Sequence, residues 1–165
     1  MKKLYLMCGP SGCGKSTYTK VHAREGDVVV SRDAIRFSLL EETDDYFAKE
    51  GIVFIEFVRE VAKALAEEKT QNVWADATHL TEKSRRKFFS HLDYYFNVEF
   101  NQSPEFEVIA VNLETTLSTC KARNAQRLGR ARVPEDVIER QFNTFVPASK
   151  EERHIDKVLT IKEVE

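Results

Sequence analysis

Residues 3–17 read Lys3-Leu4-Tyr5-Leu6-Met7-Cys8-Gly9-Pro10-Ser11-Gly12-Cys13-Gly14-Lys15-Ser16-Thr17, and the reading of this stretch decides the fold. Residues 4–7 form an apolar run of strand length. Residues 9–16 then fit G-x-x-x-x-G-K-[S/T], the phosphate-binding loop. Glycine frees the backbone for conformations closed to other residues and lets it approach a phosphate closely. The segment Gly9, Pro10, Ser11, Gly12, Cys13, Gly14 is therefore expected to wrap a nucleotide phosphate in a concave nest of backbone N–H groups. Lys15 supplies a point charge for the β- and γ-phosphates, and the Ser16 hydroxyl a magnesium ligand. Thr17 follows in the first turn of a helix whose positive end adds to the attraction. A glycine-rich turn with no ligand is the alternative. The strand before the loop, the helix after it and the third glycine inside it argue for the phosphate.

Length and composition bound the rest. The chain has 165 residues, enough for one ordinary domain and short for two. Hydrophobic residues make up 42% of it, which supports a packed core. No stretch is long and apolar enough for a membrane span, and no signal peptide is expected before the first strand. Cys8, Cys13 and Cys120 lack metal-site spacing and suit a reduced, cytoplasmic compartment. The formal net charge of −2 excludes a protein that coats long nucleic acid through general basicity. Any nucleic-acid contact is expected to be local. The sequence sets no oligomeric state.

Hydrophobic patterning predicts alternating elements. Helical spans are expected over residues 15–23, 34–40, 51–69, from Thr81 as N-cap, over 114–127, and from Pro134 onward. Strands are expected over 28–31, 72–76, 106–111 and 157–161. The helix over 51–69 reads as core packing without chemistry. In the helix after Thr81, Phe88, Phe89 and Leu92 are expected inward, and Arg85, Arg86 and Lys87 outward. Residues 94–105 read as a loop with room for a short edge strand. The alternation implies an α/β fold: a parallel sheet with helices on both faces and ligands at the C-terminal strand ends. The phosphate loop, Asp33 and Asp76 all fall at those ends.

Asp76 closes the strand Asn72-Val73-Trp74-Ala75-Asp76, where a carboxylate can hold magnesium directly or through water; a strand-end cap is the other reading. His79, three residues on, suits a functional or a merely packed role. Asp33 and Arg36 stand one helical turn apart and share a face. Asp33 suits a general base or a helix N-cap; Arg36 suits a forked phosphate contact or a surface ion pair. Arg123, Arg127, Arg130 and Arg132 crowd into ten residues around Gly129. They suit a solvated helix end, a nucleic-acid patch, or a lid over residues 123–133 that brings arginine to a transferring phosphoryl group.

Taken in order, the loop, Ser31-Arg32-Asp33-Ala34-Ile35-Arg36, Asp76-Ala77-Thr78-His79, and Arg123-Asn124 through Arg127 to Arg132-Val133-Pro134 resemble the kinase domain of polynucleotide 5′-kinases and related small P-loop kinases. The resemblance covers nearly the whole chain. It implies a single kinase domain over residues 1–165 with ATP, or another nucleoside triphosphate, and Mg2+ as cofactors. Lys15 and Ser16 would hold the nucleotide and metal, with Asp76 assisting. Asp33 would be the general base, Arg36 would bind the phosphate beside the acceptor hydroxyl, and Arg127, with Arg123 nearby, would be the lid arginine. His79 stands where asparagine is common in that family. The family's phosphatase or ligase domains have no expected counterpart in 165 residues. The implied acceptor is the 5′ end of DNA or RNA. A nucleoside or other small alcohol is the second reading, and a nucleotide-binding module without transfer the third.

Overall fold

Along β1 (Lys2–Cys8) the buried side chains alternate: Leu4, Leu6 and Cys8 enter one apolar cluster, Tyr5 and Met7 the opposite one. The same alternation marks β3 (Val73–Asp76), with Val73 and Ala75 against Trp74, and β4 (Phe106–Glu114), with Val108 and Ala110 against Ile109 and Val111. A sheet with apolar residues on both faces must be covered on both. The structure, a computed structural model that describes residues 1–162, covers it with helices.

Five strands lie in the order β2-β3-β1-β4-β5, with β2 at Val28–Ser31 and β5 at Lys157–Lys162, and all pairings are parallel. Helices α3 (Glu50–Ala66) and α4 (Glu82–Tyr94) pack on one face through Phe57, Val58, Val61, Phe88 and Leu92. The other face takes Tyr18 of α1 (Lys15–His22), Cys120 of α5 (Leu117–Ala125) and Val137 and Ile138 of α6 (Glu135–Thr144). The short α2 (Arg32–Leu39) follows β2 directly, capped by Ser31, whose hydroxyl accepts from Ala34 N at 3.1 Å. Among the described residues, no helix is long and apolar enough to cross a membrane.

Two sequence expectations fail here. Residues 95–99 are not part of a loop: α4 runs on into a π-helical turn at Tyr95–Glu99, which buries Tyr95 and Phe96 in the core, and no edge strand forms over 94–105. Arg85 does not face outward. It is 1% exposed and forms a two-pronged pair with Glu152, at 2.8 and 2.9 Å, while its third arm donates to the His79 carbonyl at 2.7 Å. The fork geometry of arginine satisfies a buried charge only when such a carboxylate arrives from elsewhere in the chain. Glu152 lies 67 residues away, out of reach of local patterning.

The parallel register sets the functional edge. Ser31 of β2 lies opposite Asp76 of β3, so the two strands end together. β1 lies between β3 and β4, and the loop leaving its C-terminal end opens beside both.

Candidate active site

The loop after β1 is built tightly against its surroundings. Gly12 has φ 83°, and a Cβ there would come within 2.5 Å of the Cys120 carbonyl oxygen, so no side chain fits. Gly14, with φ 103°, turns the chain into α1. Gly9 N donates to Thr78 O at 2.9 Å, which fastens the loop to the turn after β3. Ser11 N donates to the Gln141 side chain at 2.9 Å, which fastens it to α6. Lys15 is not the exposed lysine that its loop position suggests: it is 8% exposed, with Nζ donating to the carbonyls of Gly9 and Pro10, both at 2.9 Å. Two of the three ammonium donors are thereby satisfied on the loop that carries the lysine.

Ser16 Oγ donates to Asp76 Oδ2 at 2.8 Å. The two residues expected to serve a metal ion are therefore in contact, from opposite sides of the strand edge. Both offer oxygen, the donor that magnesium takes. Among the described residues there is no cluster of three or more His, Cys, Asp or Glu able to hold a metal. A pair of oxygen ligands suits Mg2+, which keeps water and nucleotide phosphate oxygens in the rest of its shell.

Asp33 sits in the first turn of α2, not at its N-cap, which Ser31 takes. Its Oδ1 accepts from Tyr46 Oη at 2.5 Å and from Arg36 Nη1; its Oδ2 has no partner among the described residues. Burial, then the Asp33 carboxylate, raises the Tyr46 pKa, so the phenol stays a donor. Arg36 is buried and held by Glu50 through Nη2, at 2.6 and 2.8 Å, and by Tyr46 at 2.8 Å. Its Nε is buried without a partner among the described residues. Arg32 reaches the same Glu50 at 2.7 Å. Two arginines, two carboxylates and a phenol thus form one network, in which Arg36 is buried while its carboxylate partners Asp33 and Glu50 stay partly exposed.

A cavity of about 540 Å3 joins these groups. Gly12, Gly14, Lys15, Ser16, Thr17, Asp33, Arg36, Asp76, Arg123 and Arg127 all line it, so the separate sequence signals converge in space. Gly9, Pro10 and Cys13 support the loop from behind and do not line the cavity; Cys13 is buried in the core. Arg127 lies just beyond the end of α5, and the segment after it makes a single 3-10 turn at Gly129–Ala131. Arg130 Nη1 donates to the Glu41 carbonyl at 2.5 Å, which links this segment to the turn between α2 and α3.

The model of a family described as AAA domain matches residues 4–148. The chain belongs to that family. No curated protein is significantly similar to it in sequence. Its AAA domain shares its fold with solved kinases. The crystal structure of a fungal RNA kinase superposes with a TM-score of 0.71 at 15% identity, over 99% of this chain and 39% of that one. A sugar kinase from Janibacter sp. HTCC2649 gives 0.59 at 16% identity, over 98% and 85%. A gluconokinase from Sinorhizobium meliloti 1021 gives 0.58 at 14%, over 99% and 83%. The AAA domain thus spans well under half of the fungal RNA kinase chain. At these identities the likeness is one of fold: a parallel sheet flanked by helices on both faces, consistent with a P-loop NTPase/kinase architecture.

Several cavity residues of the AAA domain gave no signal in the sequence. Glu50, the first residue of α3, anchors Arg32 and Arg36, although that helix reads as core packing alone. Tyr46 and Phe47 come from a segment whose acidic character hid them, and Arg140 and Gln141 from α6. Only the tertiary fold brings them to the loop.

His79 resolves as a packed residue. It is buried, does not line the cavity, and packs against Phe57 and Phe88, with Nδ1 at 2.7 Å from Met7 O and Nε2 without a partner among the described residues. Burial pushes its pKa down to about 3, against the raising effect of the Met7 carbonyl. The unfolded chain protonates His79 below its ordinary value of about 6.5 while the folded chain keeps it neutral, so stability is full above that pH and is lost as pH falls toward 3. The expected slope is about 1.4 kcal/mol per pH unit. His79→Asn should flatten this slope; asparagine also tolerates the positive φ of 42° there. Urea midpoints between pH 6.5 and 5 check it; parallel slopes for both proteins would refute it.

Lys15→Ala should lower phosphoryl transfer by at least ~10²–10³-fold, the usual loss on removing one preorganised electrostatic donor. Circular dichroism alongside the assay separates this from misfolding. Near-normal turnover in a folded variant would count against a kinase.

Proposed function

We propose that the protein is an ATP-dependent kinase that moves the γ-phosphoryl group to a hydroxyl acceptor, the 5′-hydroxyl of DNA or RNA. The observation that carries this reading is Asp33, with one carboxylate oxygen bonded and the other open, on the wall of the cavity that also holds Lys15, Ser16 and Asp76. A nucleotide-binding module without transfer has no use for such a carboxylate opposite its phosphate loop.

Bound Mg2+ would neutralise the phosphate charge that develops as the phosphoryl group leaves. Ser16 and Asp76 would hold it, in a site whose oxygen donors suit it. Lys15 would turn from the Gly9 and Pro10 carbonyls to the phosphates. Asp33 would take the proton of the acceptor hydroxyl on Oδ2, while Tyr46 and Arg36 hold Oδ1 and fix the direction of the open oxygen. Arg127 would meet the charge of the transferring group, with Arg123 beside the loop, in a lid over residues 123–133. Residues 1–165 would act as one kinase domain.

A nucleoside or other small alcohol is the second reading. It is favoured by Arg36, whose two Nη groups are already taken by Glu50, Asp33 and Tyr46 and so are not free for an acceptor phosphate. The sugar kinase and gluconokinase with this fold also match over most of their length. Labelled ATP offered with 5′-hydroxyl oligonucleotides, 3′-phosphorylated nucleotides, nucleosides and sugar acids decides between the two. Transfer to nucleosides or sugar acids as efficient as to oligonucleotides would replace the first reading by the second.

A further inference from the structure

Two aromatic rings line the cavity beside Asp33, and they differ in what occupies them. The Tyr46 hydroxyl bonds to Asp33 and Arg36, and the Arg36 guanidinium lies 4.2 Å from its ring centre. Phe47 has no polar group to place, yet it stands on the cavity wall 41% exposed. Its position is nonetheless fixed. It packs edge-on with Tyr46, with ring centres at 4.6 Å and planes at 82°, and the Arg36 guanidinium lies 5.7 Å from its centre. Because Tyr46 is tied by two hydrogen bonds and Arg36 by the Glu50 carboxylate, the exposed ring is held by a rigid network.

We propose that Phe47 is the stacking platform for the nucleobase of the acceptor's 5′-terminal nucleotide, an inference that rests on the nucleic-acid reading above. The chemistry is that of single-stranded recognition: every base has a flat π-face, and an exposed aromatic ring takes it without reading its edges. The geometry suits one nucleotide. A 5′-hydroxyl on Asp33 Oδ2 puts the base across one ribose ring from that carboxylate. Phe47 follows directly in the chain the tyrosine whose hydroxyl touches Asp33. A polyol or sugar acid has no flat face to offer the ring, so Phe47 separates acceptors that carry a base from polyols and sugar acids. It also predicts tolerance for all bases at the terminal position.

The test compares wild type, Phe47→Ala and Phe47→Trp on two 5′-hydroxyl oligonucleotides, one with a natural terminal base and one with an abasic terminal nucleotide. Wild type should use the abasic end ~5–100-fold less efficiently, the range that base stacking on an aromatic ring supports. Phe47→Ala should lose a similar factor on the natural end through the acceptor KM and cease to distinguish the two ends. Phe47→Trp should restore the distinction. Equal use of both ends by wild type, undiminished discrimination in Phe47→Ala, or an equal loss on both ends in that variant would each overturn the platform. Wild-type transfer to a small polyol and to no oligonucleotide would overturn the nucleic-acid reading itself and the platform with it. That result is visible before any variant is made.

Discussion

Replacing Arg127 by alanine is expected to lower kcat by ~10³–10⁵, the range set by arginines that meet a phosphoryl group in flight, and to change ATP affinity little. The four arginines of this segment are not equivalent. Arg130 holds the Glu41 carbonyl, Arg132 holds the carbonyls of Arg127 and Ala125, and Arg123 reaches the Gly12 carbonyl at 3.5 Å. The Arg127 guanidinium makes no hydrogen bond or ion pair among the described residues, and it lines the cavity. It is the charge in this cluster that can move to a ligand without breaking a protein contact, so its neighbours should compensate poorly. A lid must also open to release product. Hydrogen exchange over residues 123–133 should therefore slow when a non-hydrolysable ATP analogue saturates the protein. Unchanged exchange together with normal kcat in Arg127→Ala would make the segment a solvated helix end.

Asp33→Asn should lower transfer by roughly 10²–10⁴-fold, the usual contribution of a general base, and leave ATP binding nearly intact. Asparagine keeps an oxygen that can accept from Tyr46 and Arg36, so the network can survive the change. What it loses is the ability to take a proton at the second oxygen, the one without a partner among the described residues. Single-turnover transfer, measured beside equilibrium binding of ATP, separates the two effects. A collapse of ATP affinity with the loss of transfer would make Asp33 a metal or structural residue.

The phosphate loop was legible because its spacing is local: glycines, lysine and serine act within eight consecutive residues. The position of Asp33 and Asp76 at one edge of the sheet was legible because parallel strands deliver their C-terminal residues there, and the register of Ser31 against Asp76 bears out that position. Glu50 was not, because its carboxylate reaches Arg36 from the end of a helix whose pattern speaks only of the core. Arg85 was misread for a related reason. Helical spacing places a charge outward, and only a carboxylate brought from residue 152 can hold it inside.

The amino-acid sequence by itself determined the α/β class, the two-sided apolar pattern of the strands and the loop at the end of the first. These follow from side-chain period and backbone freedom, which act between neighbours. Only the tertiary structure decided which partners each charge has. It turned Lys15 onto its own loop, joined Ser16 to Asp76, closed Arg36 between Glu50 and Asp33, and left Phe47 bare on the cavity wall. The reason is physical: burying a charge is costly unless it is paired, and the pairs that satisfy these side chains are set by how the chain folds back on itself.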